Sequence, residues 1–359
     1  MRIKYVKPKT SGTYLWVAGE SSADGSNYIL KIDPSTMGIK AAVQVNPTAN
    51  HFNVYVLKYK KKLYVSASNY NNDQPSAAGI YDPVILYVYD LNLNLINSYY
   101  GIYQGQPYNL DTDGTYIFQT VGVDAAHAIM GTYTTDFDEY DMDGNYIETI
   151  PTGNQYCCLF DVMPLNGYLY TYASAPIYIY KYSYTGKQIA LSNFNYQNFN
   201  NNGLPSAANL DTDGTYIYIA MPTSGTGAGN YPVIKFDQNL NVLAYANYPP
   251  NMGSASTSNI FVVGKNIYVG FTTTSGTQLA VYDSSDLSLI SYTGALKSSN
   301  ITQVVWLNKK LYCINGTNPA AIEVVDPTTL ESLSFTTYNY DFTGRAWAFP
   351  FRGYQLNYP

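Results

Sequence analysis

Residues 301–337 read ITQVVWLNKKLYCINGTNPAAIEVVDPTTLESLSFTT. Four apolar stretches stand out: Ile301 to Trp306, Leu311 to Ile314, Ala321 to Val325 and Leu330 to Thr336, divided by a polar turn, an Asn/Gly loop and an Asp-Pro turn. β-Branched and aromatic residues fill the stretches and turn formers mark the breaks, so each reads as a short strand, labelled a to d. The preceding unit, IFVVGKNIYVGFTTTSGTQLAVYDSSDLSLISY at 260–292, repeats the layout, and KFDQNLNVLAYANY at 235–248 closes the unit before it.

Working outward, a Leu or Ile followed by an aromatic opens the second strand of each unit: Leu15-Trp16, Leu63-Tyr64, Ile117-Phe118, Leu169-Tyr170, Ile217-Tyr218, Ile267-Tyr268 and Leu311-Tyr312. A turn follows each at Asp33, Asp90, Asp141, Ser183, Asp237, Asp283 and Asp326, and the octapeptide LDTDGTYI occurs twice, at Leu110 to Ile117 and Leu210 to Ile217. A period of roughly fifty residues with four strands per unit predicts an all-β chain, a β-propeller of seven four-stranded antiparallel blades. The alternative is eight blades, because Arg2 to Lys7 and Trp347 to Tyr358 both read as strands. Joining the termini hides the ring's open edges, which favours one domain over 1–359, seven blades and a terminal clasp.

Leu311-Tyr312-Cys313 followed by Val325-Asp326-Pro327-Thr328-Thr329-Leu330 resembles the YVTN-type β-propeller repeats of archaeal and bacterial surface proteins. That resemblance implies the fold and no functional residue. The composition in turn resembles that of surface and virion proteins of thermophilic archaea and their viruses. Charged residues make up 12% of the chain, against about 25% in ordinary soluble domains, while 40 Tyr and many Asn, Thr, Ser and Gly supply the polarity. Hydroxyls and amides keep their hydrogen bonds where carboxylates protonate, so an acidic exterior suits this surface, and a melting temperature that changes little down to about pH 3 is expected.

With a net charge of −6 and no basic cluster beyond Lys58, Lys60, Lys61 and Lys62, the chain lacks the footprint that phosphate backbones require. That lysine run reads as a solvated hairpin turn, and nucleic acid is excluded as a partner. Residues 1–20 hold no apolar segment of signal-peptide length, and nowhere do 18 apolar residues follow one another, so no membrane span is expected. Cys157 and Cys158 fall in one blade and Cys313 in a nearly opposite one, which predicts free thiols.

Strand alternation sorts the connections. The a–b and c–d turns share one face of the disc and are tight, as at Lys58 to Lys62, Asp111 to Gly114, Asp143-Gly144, Leu165 to Gly167 and Tyr184 to Gly186. The b–c and d–a connections share the other face and are long: Asn69 to Pro83, Gly122 to Thr135, Asn193 to Asn209, Pro222 to Pro232 and Asn247 to Ser258. Binding is expected there.

Asp-x-Asp-Gly at Asp111, Asp141 and Asp211 suggests calcium, but the twelfth loop position holds Gly122, Thr152 and Pro222 where a Glu is required, so these are hairpin turns. Two histidines, His51 and His127, rule out a multi-His metal centre. No nucleophile elbow, P-loop or dinucleotide fingerprint occurs, and Gly225 to Gly229 reads as a flexible loop. Asn300 and Asn315 head glycosylation sequons. No catalytic, cofactor or metal site is assigned and no cofactor is expected. The expectation is a non-enzymatic structural or adhesive module of a virion or cell surface, with other structural proteins or glycans as partners. Its rivals are a cytoplasmic location, a glycan-binding lectin face, and a carbohydrate-active or lactone-hydrolysing enzyme built on Asp73, Asp82, Asp124, Asp136 and Asp138.

Overall fold

The computed structural model describes residues 14–21, 26–45, 54–68, 83–104, 106–122, 136–153, 161–174, 177–192, 209–221, 231–250, 252, 255–273, 276–298, 301–315, 320–341 and 353–358. Among them there is no helix, and seven antiparallel blades form a β-propeller. Blade 1 contains β1 (Leu15–Ser21), β2 (Asn27–Ile32) and β3 (Ile39–Gln44), and blade 2 contains β4 (Val54–Tyr59), β5 (Lys62–Ser68), β6 (Pro83–Asp90) and β7 (Leu95–Gln104). Blade 3 runs through β8 (Gln106–Thr112), β9 (Tyr116–Gly122), β10 (Asp136–Asp141) and β11 (Tyr146–Ile150). Blade 4 runs through β12 (Met163–Leu165), β13 (Tyr168–Ser174), β14 (Ile177–Ser183) and β15 (Gln188–Leu191). Blade 5 comprises β16 (Asn209–Thr212), β17 (Ile217–Ala220), β18 (Val233–Phe236) and β19 (Val242–Tyr245), and blade 6 comprises β20 (Ala255–Val263), β21 (Asn266–Thr273), β22 (Gly276–Asp283) and β23 (Leu289–Tyr292). Blade 7 holds β24 (Ile301–Leu307), β25 (Lys310–Asn315), β26 (Ala320–Val325) and β27 (Ser332–Tyr338).

The ring closes where β28 (Tyr340–Asp341) pairs antiparallel with β1, supplying blade 1 with its innermost strand. The last strand, β29 (Gly353–Tyr358), does not join blade 1. It runs parallel to β4 on the channel side of blade 2, making that sheet five-stranded. The expected strand at Arg2 to Lys7 lies outside the described residues.

Seven apolar layers hold the disc together, one between each pair of neighbouring blades, the closing pair included. The repeated aromatic of the second strand fills them: Tyr64, Phe118, Tyr170, Tyr218, Tyr268 and Tyr312 are all buried. The c–d turns supply the other half. Met37, Leu93, Leu240, Leu287 and Leu330 adopt positive φ between 56° and 68°, yet each is buried against the blade before its own. Left-handed backbone costs a side-chain-bearing residue about 1–2 kcal/mol, and burying an aliphatic side chain recovers about 1.5–3. In blades 3 and 4 the same place is taken by Gly144 and Gly186, where a Cβ would run into Val88 and the Pro151 carbonyl.

Candidate functional site

The turn carboxylates are occupied by the backbone. Asp141 Oδ1 accepts from the Asp143 and Asn145 amides at 2.8 and 2.9 Å, and its Oδ2 from Asn145 Nδ2 at 2.8 Å. Asp90 and Asp237 repeat this pattern. Asp113 and Asp213 cap the a–b turns through the amides two and three residues on. These bonds hold the carboxyls of Asp33, Asp90, Asp141, Asp237, Asp283 and Asp326 below their ordinary range.

Next to those turns lies a clamp that the sequence reading overlooked. Two residues ahead of the turn, three blades carry a lysine whose ammonium reaches the first carbonyl of the next blade's turn: Lys31 to Leu91 O at 2.8 Å, Lys181 to Gln238 O at 2.9 Å and Lys235 to Ser284 O at 2.8 Å. Each lies over aromatic faces, Lys31 over Tyr14, Lys181 over Tyr168 and Lys235 over Tyr216. Tyr170 and Tyr218 donate to the same carbonyls. In blade 2 the ammonium comes from β5: Lys62 reaches Met142 O at 2.8 Å and Asp143 at 2.5 Å, and Tyr64 also donates to Met142 O. The expected solvated lysine turn is therefore corrected in part. Lys60 and Lys61 are exposed at the turn, whereas Lys62 fastens two blades.

Around the channel, polar side chains link innermost strands. Asn109 donates to Asp161, whose other oxygen accepts from the Leu210 amide at 3.0 Å. Asp211 accepts from the Val262 amide at 2.6 Å, and Asn259 from the Val304 amide at 3.3 Å. The Asp211 phrase that suggested calcium thus serves the ring.

Of the carboxylates named from sequence, Asp73, Asp82 and Asp124 lie outside the described residues, as do His51, His127, Cys157, Cys158, Asn300 and Gly225 to Gly229. Asp136 and Asp138 are described, and they share one face of β10 two residues apart. Asp136 opens the strand on the long-loop face and accepts from the Thr152 amide at 3.1 Å. Asp138 is buried between blades 2 and 3, where Thr149 donates to it at 2.7 Å and Tyr146 is 2.7 Å from the Thr149 hydroxyl. Tyr140 lies 3.0 Å from Gln119 Oε1 and 3.4 Å from Asp138, and Gln119 donates to Ser66 across the blade boundary. Burial pushes Asp138 up to about 6, with the Asp136 charge adding to it against the two hydroxyl bonds, and burial raises Asp136 as well.

On the opposite face of β10 stands Glu139, at the place taken by lysine in blades 1, 4 and 5. Burial, then Glu148 paired across from it and Asp113, raise it to about 7. Cys313 is a buried free thiol pushed up by desolvation and by Glu323. Asn315, which heads one of the two sequons, is buried at the end of β25. The expected loop at 247–258 is also shortened, since β20 begins at Ala255.

No protein-family model matches the chain, and no curated protein sequence does. Solved structures do resemble it. The periplasmic gluconolactonase of Pseudomonas aeruginosa is 14% identical over 92% of this chain and 96% of its own, with a TM-score of 0.60. The dihydro-heme d1 dehydrogenase NirN is 13% identical over 93% and 76%, at 0.53. A functionally unknown protein from Desulfotomaculum acetoxidans is 14% identical over 94% and 100%, at 0.60. At this identity the likeness is one of fold. It nevertheless overturns the expectation of a chain without catalysis, because two of these propellers are named as enzymes. Missing sequence motifs on such a ring are no argument against chemistry.

Proposed function

We propose that this chain is a recognition module of an exterior assembly, a virion or cell-surface layer, engaging a structural protein or glycan through the face that bears the b–c and d–a connections. The observation that carries the reading is the disc's asymmetry. One face is closed by short turns whose backbone groups are bonded to their own Asp side chains, which leaves little there to meet a partner. The other face receives connections of very unequal length, from 175–176 and 274–275 to 69–82 and 193–208. Loop variation on a rigid scaffold is how propellers acquire partners. The low charge of the chain, and the resemblance to repeats of surface proteins, support the exterior setting. The test is co-sedimentation of labelled protein with purified envelopes or particles of its source. Replacing 193–208 with a short Gly-Ser linker should abolish binding while the melting temperature holds. Undiminished binding would sink the reading.

A second reading is favoured by Asp136 and Asp138, two carboxyls at the loop-face end of one strand, both held above the ordinary range. In it Asp136, the less buried of the two, exchanges a proton with a sugar lactone or glycoside, and burial raises its proton affinity. Gluconolactone hydrolysis in a pH-stat tests this. Asp136→Asn should abolish turnover. Turnover by Asp136→Asn equal to that of the parent would refute it.

A further inference from the structure

In blades 1, 4 and 5 one place on the third strand holds a lysine, and its surroundings repeat. Lys31, Lys181 and Lys235 stand opposite Trp16, Tyr170 and Tyr218 on the second strand and opposite Ala41, Ala190 and Ala244 on the fourth. Each ammonium lies over two aromatic rings and ends on a turn carbonyl of the next blade.

Blade 3 keeps this setting and inverts the charge. Glu139 takes the lysine's place, opposite Phe118 and opposite Glu148. Like charges directly across a ladder are destabilising, and a carboxyl only 6% exposed is costly without a partner. Among the described residues no donor reaches Glu139, and the charges that act on it, those of Glu148 and Asp113, are negative. The matching carbonyl of the next turn, Tyr184 O, also lacks both donors that its counterparts have. No ammonium reaches it, and Phe118 has no hydroxyl to do what Tyr170 and Tyr218 do. The aromatic walls remain: Tyr116 stands where Tyr14, Tyr168 and Tyr216 lie under the lysines, edge-on to Phe118, and the Tyr184 ring is 4.9 Å from Phe118. Glu148 and Asp113 are exposed, so solvent reaches this seam from the short-turn face.

We propose that the seam between blades 3 and 4 binds a primary alkylammonium from outside the chain, held by Glu139, Glu148 and Tyr184 O against the Tyr116 and Phe118 rings. It takes the place that the lysine's own ammonium takes at the sibling seams. A glutamate side chain is one atom shorter than a lysine, so its oxygens reach no further than the lysine Cε, and the position of Nζ falls between carboxylate and carbonyl. The three N–H donors of an ammonium match three acceptors, and the rings add cation–π attraction. A metal ion fits less well: among the described residues no three His, Cys, Asp or Glu are placed to hold one. The ammonium comes from a partner's lysine side chain or from a free amine, two sources with one chemistry. The seam lies away from the long connections, so the proposal does not depend on what the loop face binds.

Isothermal titration calorimetry on the full chain at about pH 8, where both glutamates are ionised, tests the proposal with cadaverine and with N-acetyl-lysine methylamide. The parent should bind at one site per chain. Tighter binding of the lysine derivative marks a protein side chain as the source, and tighter binding of cadaverine a free amine. Glu139→Gln should weaken binding about tenfold or more, the loss of a charge-assisted hydrogen bond. Glu148→Gln, at an exposed position, should weaken it with an unchanged melting temperature. Glu139→Lys, which rebuilds the sibling clamp within the chain, should abolish binding and raise the melting temperature. A parent that binds neither amine, or that binds calcium in their place, would overturn the proposal. So would a Glu139→Lys variant that binds cadaverine as the parent does.

Discussion

Lys235 Nζ stands 4.0 Å from the centre of the Tyr216 ring and donates to Ser284 O and Ser285 O of the next blade at 2.8 and 2.9 Å. Burial lowers its proton affinity, and the Asp213 and Asp283 carboxylates counter that. The ammonium is thus held by a π-face and two carbonyls, and it joins blades 5 and 6.

Removing it should be costly. Lys235→Met keeps the stem and deletes the charged donors and the cation–π contact, while Tyr218 still donates to Ser284 O, so equilibrium unfolding in urea should report a loss of about 1–2 kcal/mol. Lys40→Met, on the exposed rim, should change stability by less than about 0.5. Equal effects would show that the clamp contributes nothing.

The seam around blade 3 predicts a pH dependence that composition alone did not. Asp138 and Glu139, raised to about 6 and about 7, bind protons in the folded state at pH values where the unfolded chain has released them. Stability should therefore fall as pH rises from about 4 to 7. The lowered turn carboxylates, Asp33, Asp90, Asp237, Asp283 and Asp326, have the opposite sign: their contribution is present above their unfolded values near 4 and is lost below. A maximum near pH 4–5 replaces the expected flat profile. Differential scanning calorimetry should show it, and Asp138→Asn should flatten the limb between pH 5 and 7. A melting temperature that climbs over that limb in the parent would contradict the assignment.

Leu240 combines positive φ with complete burial. Leu240→Ala loses the packing and keeps the backbone cost, about 3 kcal/mol or more, whereas Leu240→Gly also relieves about 1 kcal/mol of that cost. Alanine should thus be worse than glycine when midpoints are compared in urea. The reverse order would mean that the turn, not the plug, decides the site.

Much of this was legible beforehand. The second-strand aromatics and the seven turn positions lie where the repeat put them, because a hairpin turn and a buried strand are local matters. The lysine clamp left a signal, the lysine two residues ahead of the turn at Lys31, Lys181 and Lys235, but its meaning depends on the neighbouring blade's carbonyl, which no local pattern contains. Asp138 was named only as one of five acids. Its partner Thr149 comes from the next strand, and Tyr140 connects it to Gln119, which reaches Ser66 of another blade, an arrangement that follows from how blades stack. The path of β29 was unreadable for the same reason: Gly353 to Tyr358 looks like any strand, and only the open channel edge of β4 explains where it lies.

Cys313 offers a direct check of blade order. Buried in the layer between blades 6 and 7, with its thiol pushed up by desolvation, it should resist iodoacetamide in the native protein and react after unfolding. Intact mass should then show three alkylated cysteines with or without prior reductant. Fewer without reductant would mean a disulfide, against the expectation from sequence that Cys157-Cys158 and Cys313 belong to far-apart blades.

The pairing of Glu20 with Asp341 also fixes a sequence of events. Blade 1 is the first to leave the ribosome and the last to be finished, because its innermost strand is made only after six other blades have emerged. At ordinary synthesis rates that interval is on the order of tens of seconds, during which the inner edge of β1 is open. Blades 2 to 7 can stack against one another as they appear, but the layer between blades 7 and 1 cannot form until the chain returns. A polypeptide that stops short of Tyr340 would remain an open arc with two exposed flanks, so synthesis through the final tenth of the chain decides whether the earlier nine-tenths stays soluble.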